Sequence, residues 1–177
     1  MTIYKLDSKV PIIGEGTWIA PSAEIIGDVR IGKYCWIGPG AIIRGDFGSI
    51  IIDDETAVED GVIIHCADMV QIGKRVTIGH GAMIHNTTIK DFAVIGMNST
   101  ISDNTVVGRW SIIAEHSLVK KDQTVPDYKI YAGIPATHKA DLDHRHKEYM
   151  IFGKQLYVDL AAQYIGGLKR IDKNAGL

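Results

Sequence analysis

The sequence lacks the features that mark secreted, membrane-spanning or nucleic-acid-binding proteins. Its two cysteines, Cys35 and Cys66, are too few for a disulfide framework, which agrees with a reducing compartment. No stretch approaches the ~20 apolar residues that cross a bilayer, and the N-terminus has no apolar signal-peptide core. Lys and Arg total 19 against 21 Asp and Glu, so there is no basic excess for phosphates. We therefore expect a cytoplasmic protein that binds neither nucleic acid nor membrane.

What the sequence does contain is an Ile or Val that returns every six residues, with a few slips, from Ile19 to Val125. The residue four positions after each of these is usually small, as at Ala23, Cys35 and Ala41. A period of six matches neither an α-helix nor an alternating strand and is typical of a parallel β-helix built from hexapeptides. Three such faces make one coil, and equivalent residues then stack about 4.8 Å apart. The sequence therefore predicts an all-β solenoid.

The repeat also predicts how the chain is divided. Residues 1–136 contain a lead-in, the solenoid and a closing turn, and residues 137–177 form a C-terminal extension. Apolar residues near one stripe predict an α-helix from Asp141 to about Ile171, which Gly153 weakens. We expect this helix to pack along the solenoid and to cover a face or an edge.

Glycines and slips in the repeat mark where the chain turns or leaves the solenoid. Glycines that follow the apolar position, such as Gly32 and Gly79, are expected at tight corners that need a positive φ. The interval from Ile43 to Ile52 is longer than six residues and predicts a short loop at Phe47. Irregularities in a repeat tend to collect where function is built.

Three polar residues share one column of the predicted solenoid. Counted in faces, Arg44, His65 and His85 each follow the apolar residue of the same face on successive coils. The two histidines are then neighbours about 4.8 Å apart at the backbone, from which their imidazoles can reach one metal ion. His80 lies on the preceding face and points away from them. If three solenoids pack about a threefold axis, His80 of one chain can meet the pair of the next, which predicts a homotrimer.

Three neutral imidazoles are suited to a divalent ion, with Zn²⁺ as the first candidate and one coordination position left for water. Such an ion lowers the pKa of its water to about 7, so that hydroxide is available near neutrality. Hydroxide is a nucleophile for a small electrophile such as CO₂.

Charged residues near the histidines are candidate catalytic groups. Arg44 lies in the histidine column, and Asp46 is expected to hold its guanidinium by two parallel hydrogen bonds, although an interface ion pair is an alternative role. Glu59 is expected beside His80. Asp68, on the loop after His65, is a candidate proton relay. Cys66 is expected at the surface, with a role as substitute ligand or reactive group left open.

Three segments, Ile43 to Asp46, Val58 to His65 and Ile78 to His85, resemble the gamma-class carbonic anhydrase family of the hexapeptide-repeat superfamily. The resemblance implies a left-handed parallel β-helix and a homotrimer. It also implies a lyase that hydrates CO₂ reversibly.

The resemblance assigns roles to particular residues as well. It implies that Zn²⁺, or in some members Fe²⁺ or Co²⁺, is held by His65 and His85 of one chain with His80 of its neighbour. The charged residues that it assigns to the interface, the active site and proton transfer are Arg44, Asp46 and Asp68. The sequence departs from the best-characterised members at three positions. Glu59 replaces a glutamine, Ala57 an asparagine and Phe47 an acidic residue.

Three other functions remain open. The C-terminal extension resembles members that act as thioesterases on CoA esters, and the same metal site could hydrolyse a small acyl-CoA. Acyl transfer normally needs one basic histidine and no metal, so three histidines argue against it. A noncatalytic scaffold of the same family is the remaining alternative, because the acidic residues are altered.

Overall fold

Most of the chain winds into coils whose faces are short parallel strands. The structure is a computed structural model and describes residues 2–171. In chain order the elements are β1 (Thr2–Tyr4), β2 (Ile12–Ile13), β3 (Trp18–Ile19), β4 (Glu24–Ile31), β5 (Trp36–Ile37), β6 (Ile42–Ile52), β7 (Ala57–Val58), β8 (Ile63–His65), β9 (Met69–Ile72), β10 (Thr77–Ile78), β11 (Met83–His85), β12 (Thr87–Ile89), β13 (Val94–Ile95), β14 (Thr100–Ile101), β15 (Thr105–Val107), β16 (Ile112–Ile113), β17 (Leu118–Val119), β18 (Thr124–Val125), β19 (Lys129–Ala132), β20 (Thr137–Asp141) and the helix α1 (His144–Gly167).

Each face of the solenoid is a ladder of strands one coil apart. One face is an eight-stranded sheet that runs from β3 through β5, β7, β10, β13, β16 and β19 to β20, which pairs antiparallel at its end. The other two faces form one twelve-stranded sheet, because β4 and β6 are long enough to continue around the corner between them. The predicted all-β solenoid is confirmed, and its architecture is the left-handed parallel β-helix of hexapeptide repeats.

A column of isoleucine and valine fills the centre of the solenoid. Ile43, Ile64 and Ile84 lie opposite one another on β6, β8 and β11 and have no exposed surface. The small residues four positions later, such as Cys35 and Ala41, are equally buried. Burying one such isoleucine contributes about 1.5–3 kcal/mol, so the repeated column is the main source of stability.

The corner glycines meet a different requirement from the one expected. Gly32 and Gly79 do not have a positive φ. A Cβ atom on Gly32 would lie 2.6 Å from the amide nitrogen of Asp54, and one on Gly79 would lie 2.8 Å from the carbonyl oxygen of Ile95. These glycines are therefore needed because the next coil passes too close for a side chain. Positive φ values fall on other corner residues, such as Tyr34 at 56°.

The lead-in and the first long interval also form strands. β1 and β2 pair with β4, which confirms that the first residues cover the first coil. The predicted loop at Phe47 is wrong in form, because β6 continues through it as one strand. In the pairing of β6 with β4, Gly45 lies opposite Gly27, and the next paired residues are Ile50 and Val29. The extra residues of β6 between these two pairs form a bulge. The Phe47 side chain is 72% exposed on this bulge.

Helix α1 is a single helix that packs on the eight-stranded sheet. It is shorter than the predicted span at both ends, and Gly153 does not interrupt it. Asp143 caps its N-terminus by accepting a hydrogen bond from the His146 amide at 2.9 Å. The predicted domain boundary after residue 136 stays a prediction. β20 lies beyond that boundary and pairs with β19 of the solenoid. Among the described residues, no helix combines the length and the apolarity needed to cross a bilayer.

Aromatic side chains fix the position of α1 on the solenoid. The rings of Trp18 and Tyr164 meet edge to face with centroids 4.7 Å apart. Those of Trp36 and Tyr157 are 5.2 Å apart. Aromatic pairs at such distances contribute about 0.5–1.5 kcal/mol beyond the area they bury. The helix is therefore held in one register along the sheet.

We expect Ile64→Ala to lower the free energy of unfolding by about 2–5 kcal/mol, because it leaves a cavity in the central column. The matched control is Ile151→Ala on α1, where the isoleucine is 45% exposed and the expected change is within about 0.5 kcal/mol. Urea denaturation followed by circular dichroism measures both. Equal losses in the two variants would contradict this account of the core.

Candidate metal centre

The predicted column of polar residues is present on the twelve-stranded sheet. β8 and β11 pair in register so that His65 lies opposite His85, and Arg44 of β6 lies opposite His65 on the other side. The two imidazole rings have centroids 5.3 Å apart and are tilted by 47°. One ion placed between them is within reach of both side chains.

Asp46 holds His65 and Arg44 at the same time. Its Oδ1 atom lies 2.9 Å from His65 Nε2, and its Oδ2 atom forms an ion pair with Arg44 Nη1. The predicted two-pronged bond to Arg44 is therefore wrong, because one carboxylate oxygen is used for the histidine. Desolvation raises the pKa of Asp46, but the hydrogen bonds from His65 and Arg44 outweigh it, so the pKa lies below its ordinary value. Asp46 is ionised at neutral pH.

Asp103 plays the same part for His85, and the sequence reasoning missed it. Its Oδ1 atom pairs with His85 Nδ1. This hydrogen bond is the main reason why the pKa of the Asp103 carboxyl lies below its ordinary value. The strand register places Ile84 opposite Ile101, so the residue stacked on His85 is Ser102, and Asp103 lies one position beyond it. Counting stacked positions therefore does not identify Asp103.

His80 lies on another face, as predicted. It follows β10 of the eight-stranded sheet, whereas His65 and His85 belong to the twelve-stranded sheet. Glu59 accepts a hydrogen bond from the His80 amide at 3.1 Å and lies 3.0 Å from His80 Nε2. Asp60 is more distant, at 3.5 Å from His80 Nδ1. Among residues 2–171, no three His, Cys, Asp or Glu side chains are grouped closely enough to hold a metal ion within one chain.

Glu59 also connects His80 to helix α1, a link that sequence reasoning missed. The Glu59 side chain is buried, and the Tyr157 hydroxyl of α1 is hydrogen-bonded to it. Burial, followed by this hydrogen bond and the charge of Glu59, raises the pKa of Tyr157. Tyr157 therefore remains a neutral hydrogen-bond donor to Glu59. The hexapeptide spacing carries no signal for this contact, because it depends on how the helix docks.

The loop after His65 is held by Asn86, whose side-chain oxygen accepts hydrogen bonds from the amides of Ala67 and Asp68 at 2.9 and 3.0 Å. Among the hydrogen bonds and ion pairs of residues 2–171, none joins the Asp68 carboxylate to a histidine. The expectation that Cys66 lies at the surface is wrong, since it is fully buried. Burial also raises the pKa of the Cys66 thiol, so a reactive thiolate is disfavoured.

The N-terminal lead-in contacts the bulge of β6 that carries Asp46. Lys9 Nζ donates hydrogen bonds to the carbonyl oxygens of Asp46 at 2.7 Å and of Phe47 at 3.0 Å. The Phe47 ring meets the His65 ring edge to face, with centroids 6.0 Å apart. These contacts hold the bulge of β6 so that Asp46 stays within reach of His65.

The residues present fit a divalent metal. Each histidine of the pair has one ring nitrogen held by an ionised carboxylate. Its other ring nitrogen is left free to bind a metal ion through its lone pair. Metal-ligating histidines are commonly oriented in this way by a carboxylate on the second nitrogen. Two imidazoles supply half of the four ligands of a tetrahedral ion.

Comparisons with known proteins agree with this architecture. A family model described as "Bacterial transferase hexapeptide (six repeats)" matches residues 11–45 and 86–121. A hexapeptide transferase family protein from Anaplasma phagocytophilum has a similar structure, with a TM-score of 0.89 and 30% identity. The match covers 94% of this chain and 98% of that one.

Two kinds of curated relative are similar in sequence. Gamma carbonic anhydrase 2, mitochondrial, from Arabidopsis thaliana is 33% identical over 90% of this chain. Carnitine operon protein CaiE from Citrobacter koseri is 34% identical over 92% of this chain and 84% of its own length. The chain spans only 60% and 52% of the lengths of the two Arabidopsis gamma carbonic anhydrases that it matches.

We expect His85→Ala to raise the pKa of the Asp103 carboxyl toward the ordinary value of about 3.9, because the main stabilising hydrogen bond is lost. A carbon-detected NMR titration measures this pKa. Asp141, which pairs with Lys129 at 2.7 Å, is the internal control and should titrate unchanged. Since a depressed pKa stabilises the fold only while the carboxyl is ionised, the contribution is lost as the pH falls through that pKa. An unshifted Asp103 in the variant would contradict the pairing.

Proposed function

The chain belongs to the hexapeptide-repeat family that includes the gamma carbonic anhydrases, and from this membership we propose that it hydrates CO₂ reversibly at a metal site shared between subunits of a homotrimer. The observation that carries the proposal is the stacked pair of His65 and His85, each oriented by its own carboxylate. His65 and His85 of one chain, with His80 of the partner subunit, would hold Zn²⁺, Fe²⁺ or Co²⁺. When bound, such an ion lowers the pKa of water and supplies a hydroxide nucleophile near neutral pH.

The chain's own residues would orient this site and keep it electrically balanced. Asp46 and Asp103 stay ionised and fix the directions in which His65 and His85 offer their free nitrogens. Arg44 is 40% exposed on its side chain, and a guanidinium has five donors. The donors that Asp46 does not use are available to the bicarbonate product or to the neighbouring subunit.

Two carboxylates are proposed to move the proton that hydration releases. Glu59 is buried beside His80 and has Tyr157 as a donor, so it is placed to take up a proton close to the site. Asp68 lies on the exposed loop that Asn86 holds after His65, and it would pass the proton on to solvent. In a site shared between chains, Glu59 would come from the chain that supplies His80 and Asp68 from the chain that supplies His65.

Stopped-flow measurement of CO₂ hydration, before and after chelation and metal return, tests the function. We expect His65→Ala, His80→Ala and His85→Ala each to lower kcat/KM by more than about 10²-fold, which exceeds the loss typical of an outer-shell partner. His116→Ala on the exposed surface is the matched control and should keep full activity. A metal-replete protein with no rate above buffer would defeat the proposal.

Mixed trimers test whether the site is shared. In an equimolar mixture of His80→Ala and His85→Ala chains, a shared site is intact only when the pair comes from a His80→Ala chain and the third histidine from a His85→Ala chain. Random assembly then restores about one quarter of wild-type activity, although neither variant is active alone. The two chains are mixed in denaturant and refolded, with separately refolded variants as controls. No recovery in verified mixed trimers would place all ligands in one chain.

Hydrolysis of a small acyl-CoA thioester is the second candidate, favoured by one observation. A cavity of about 310 Å³ lies between α1 and the solenoid and includes Glu59 in its wall. The carnitine operon protein CaiE is among the proteins similar in sequence to this chain. A thiol-release assay across short and aryl CoA esters separates this reaction from CO₂ hydration. An inert protein without transition metal in both assays would favour the noncatalytic scaffold.

A further inference from the structure

A lysine lines the cavity between α1 and the eight-stranded sheet. The cavity has a volume of about 310 Å³, and its apolar wall includes Val94, Ile112 and Met150. Lys154 of α1 also lines it, although only 2% of the residue is exposed. A lysine this deeply buried is unusual and normally requires a charged partner.

Lys154 has neutral partners instead. Its Nζ atom donates to Thr77 Oγ1 at 3.2 Å and to the Ala93 carbonyl oxygen at 3.1 Å. Among residues 2–171, no carboxylate oxygen forms an ion pair with this nitrogen. A neutral amine has two N–H donors, which match these two acceptors, and one lone pair that remains free. The geometry therefore suits the uncharged, nucleophilic form.

Burial and the charge of Arg75 also favour the neutral amine. Burial, followed by the positive charge of Arg75, lowers the pKa of Lys154 to about 7, and the negative charge of Glu59 opposes this less strongly. Arg75 is held in place by an ion pair with Glu55 and a 2.8 Å hydrogen bond to Gln155. The other ionisable groups in the cavity wall are Glu115, Tyr149 and Tyr157. The positive charge of Arg75 disfavours a cation at Nζ and favours an anion there, whereas burial penalises either charge.

We propose that Lys154 is a carbamate-forming site, at which the buried amine adds to dissolved CO₂. Access to the nitrogen is nearly closed, so the reacting partner must be small and uncharged, and CO₂ meets both conditions. A charged or bulky acyl donor would have to displace α1. The site is distinct from the metal centre and needs no metal, so it does not rest on the hydration activity.

The reaction balances without a further reagent. The Nζ lone pair forms a bond to the carbon of CO₂, one C–O π bond breaks, and its electrons move to oxygen. One proton leaves the nitrogen for solvent, so that R–NH₂ and CO₂ give R–NH–COO⁻ and H⁺. The carbamate nitrogen keeps one N–H for the Ala93 carbonyl. The Thr77 hydroxyl is then free to donate to a carbamate oxygen.

Isotope labelling tests the proposal on the full-length, chelator-treated protein. The protein is equilibrated with ¹³C-labelled CO₂ and bicarbonate at pH 7.5, and the carbamate carbon is detected directly in the intact protein by ¹³C NMR. With a pKa near 7, Lys154 has roughly 10³-fold more free amine at neutral pH than an ordinary lysine. We expect a carbamate signal that is lost in Lys154→Arg and kept in Lys121→Arg, which changes an exposed lysine.

Variants and conditions distinguish a specific site from general lysine chemistry. Lys154→Arg keeps a cation and hydrogen-bond donors but has no nucleophilic amine at this pH, and it should lose the label at this position. Circular dichroism verifies that the variant is folded, and labelling of the wild type under CO₂-free buffer sets the baseline. A carbamate signal that persists in folded Lys154→Arg protein, or no signal in folded wild-type protein, would overturn the proposal. Because metal is absent throughout, an inactive hydratase would leave this outcome unaffected.

Discussion

Backbone hydrogen bonds between coils are the constraint on which the rest of this structure depends. The amide of Gly79, for example, donates to the Ile95 carbonyl of the next coil at 2.8 Å. For such bonds to form along every face, each coil must return to the same phase after three hexapeptides. Side chains at equivalent positions are therefore stacked, and the burial of isoleucine on isoleucine makes this register favourable. The pairing of His65 with His85 is a consequence of that register, because residues in one column lie side by side on neighbouring strands.

Departures from the six-residue period are absorbed without loss of this register, and they make the site possible. The extra residues of β6 form a bulge around Asp46, while the strand on either side stays paired with β4. A bulge changes the direction of side chains and leaves polar groups free of the ladder. Asp46 can therefore reach both Arg44 and His65, which a residue on a regular face could not do. The lead-in residue Lys9 then holds the bulge by its carbonyl oxygens.

Carboxylates accompany each candidate ligand, and their chemistry differs by location. Asp46 and Asp103 have lowered pKa values and are hydrogen-bonded to His65 and His85, so each carboxylate holds one imidazole in a fixed orientation. Glu59 is buried beside His80, and in the proposed function it is the group that would exchange a proton. A glutamine at this position could accept the same hydrogen bonds but could not take up a proton. Helix α1 thus contributes to the site indirectly, through the interaction of Tyr157 with Glu59 of the solenoid.

The sequence by itself determined the coil, the central column and the stacking of Arg44, His65 and His85, because a period of six fixes the phase of every residue on a prism. It also separated His80 from that pair. Asp103 was not within reach of this counting, because the residue one coil beyond His85 is Ser102. Only the tertiary structure decided that Asp46 divides its oxygens, that Cys66 is buried, and that α1 brings Tyr157 and Lys154 to the solenoid. These features depend on side-chain packing at a bulge, a loop and a docked helix, where no repeating backbone hydrogen bond sets the phase.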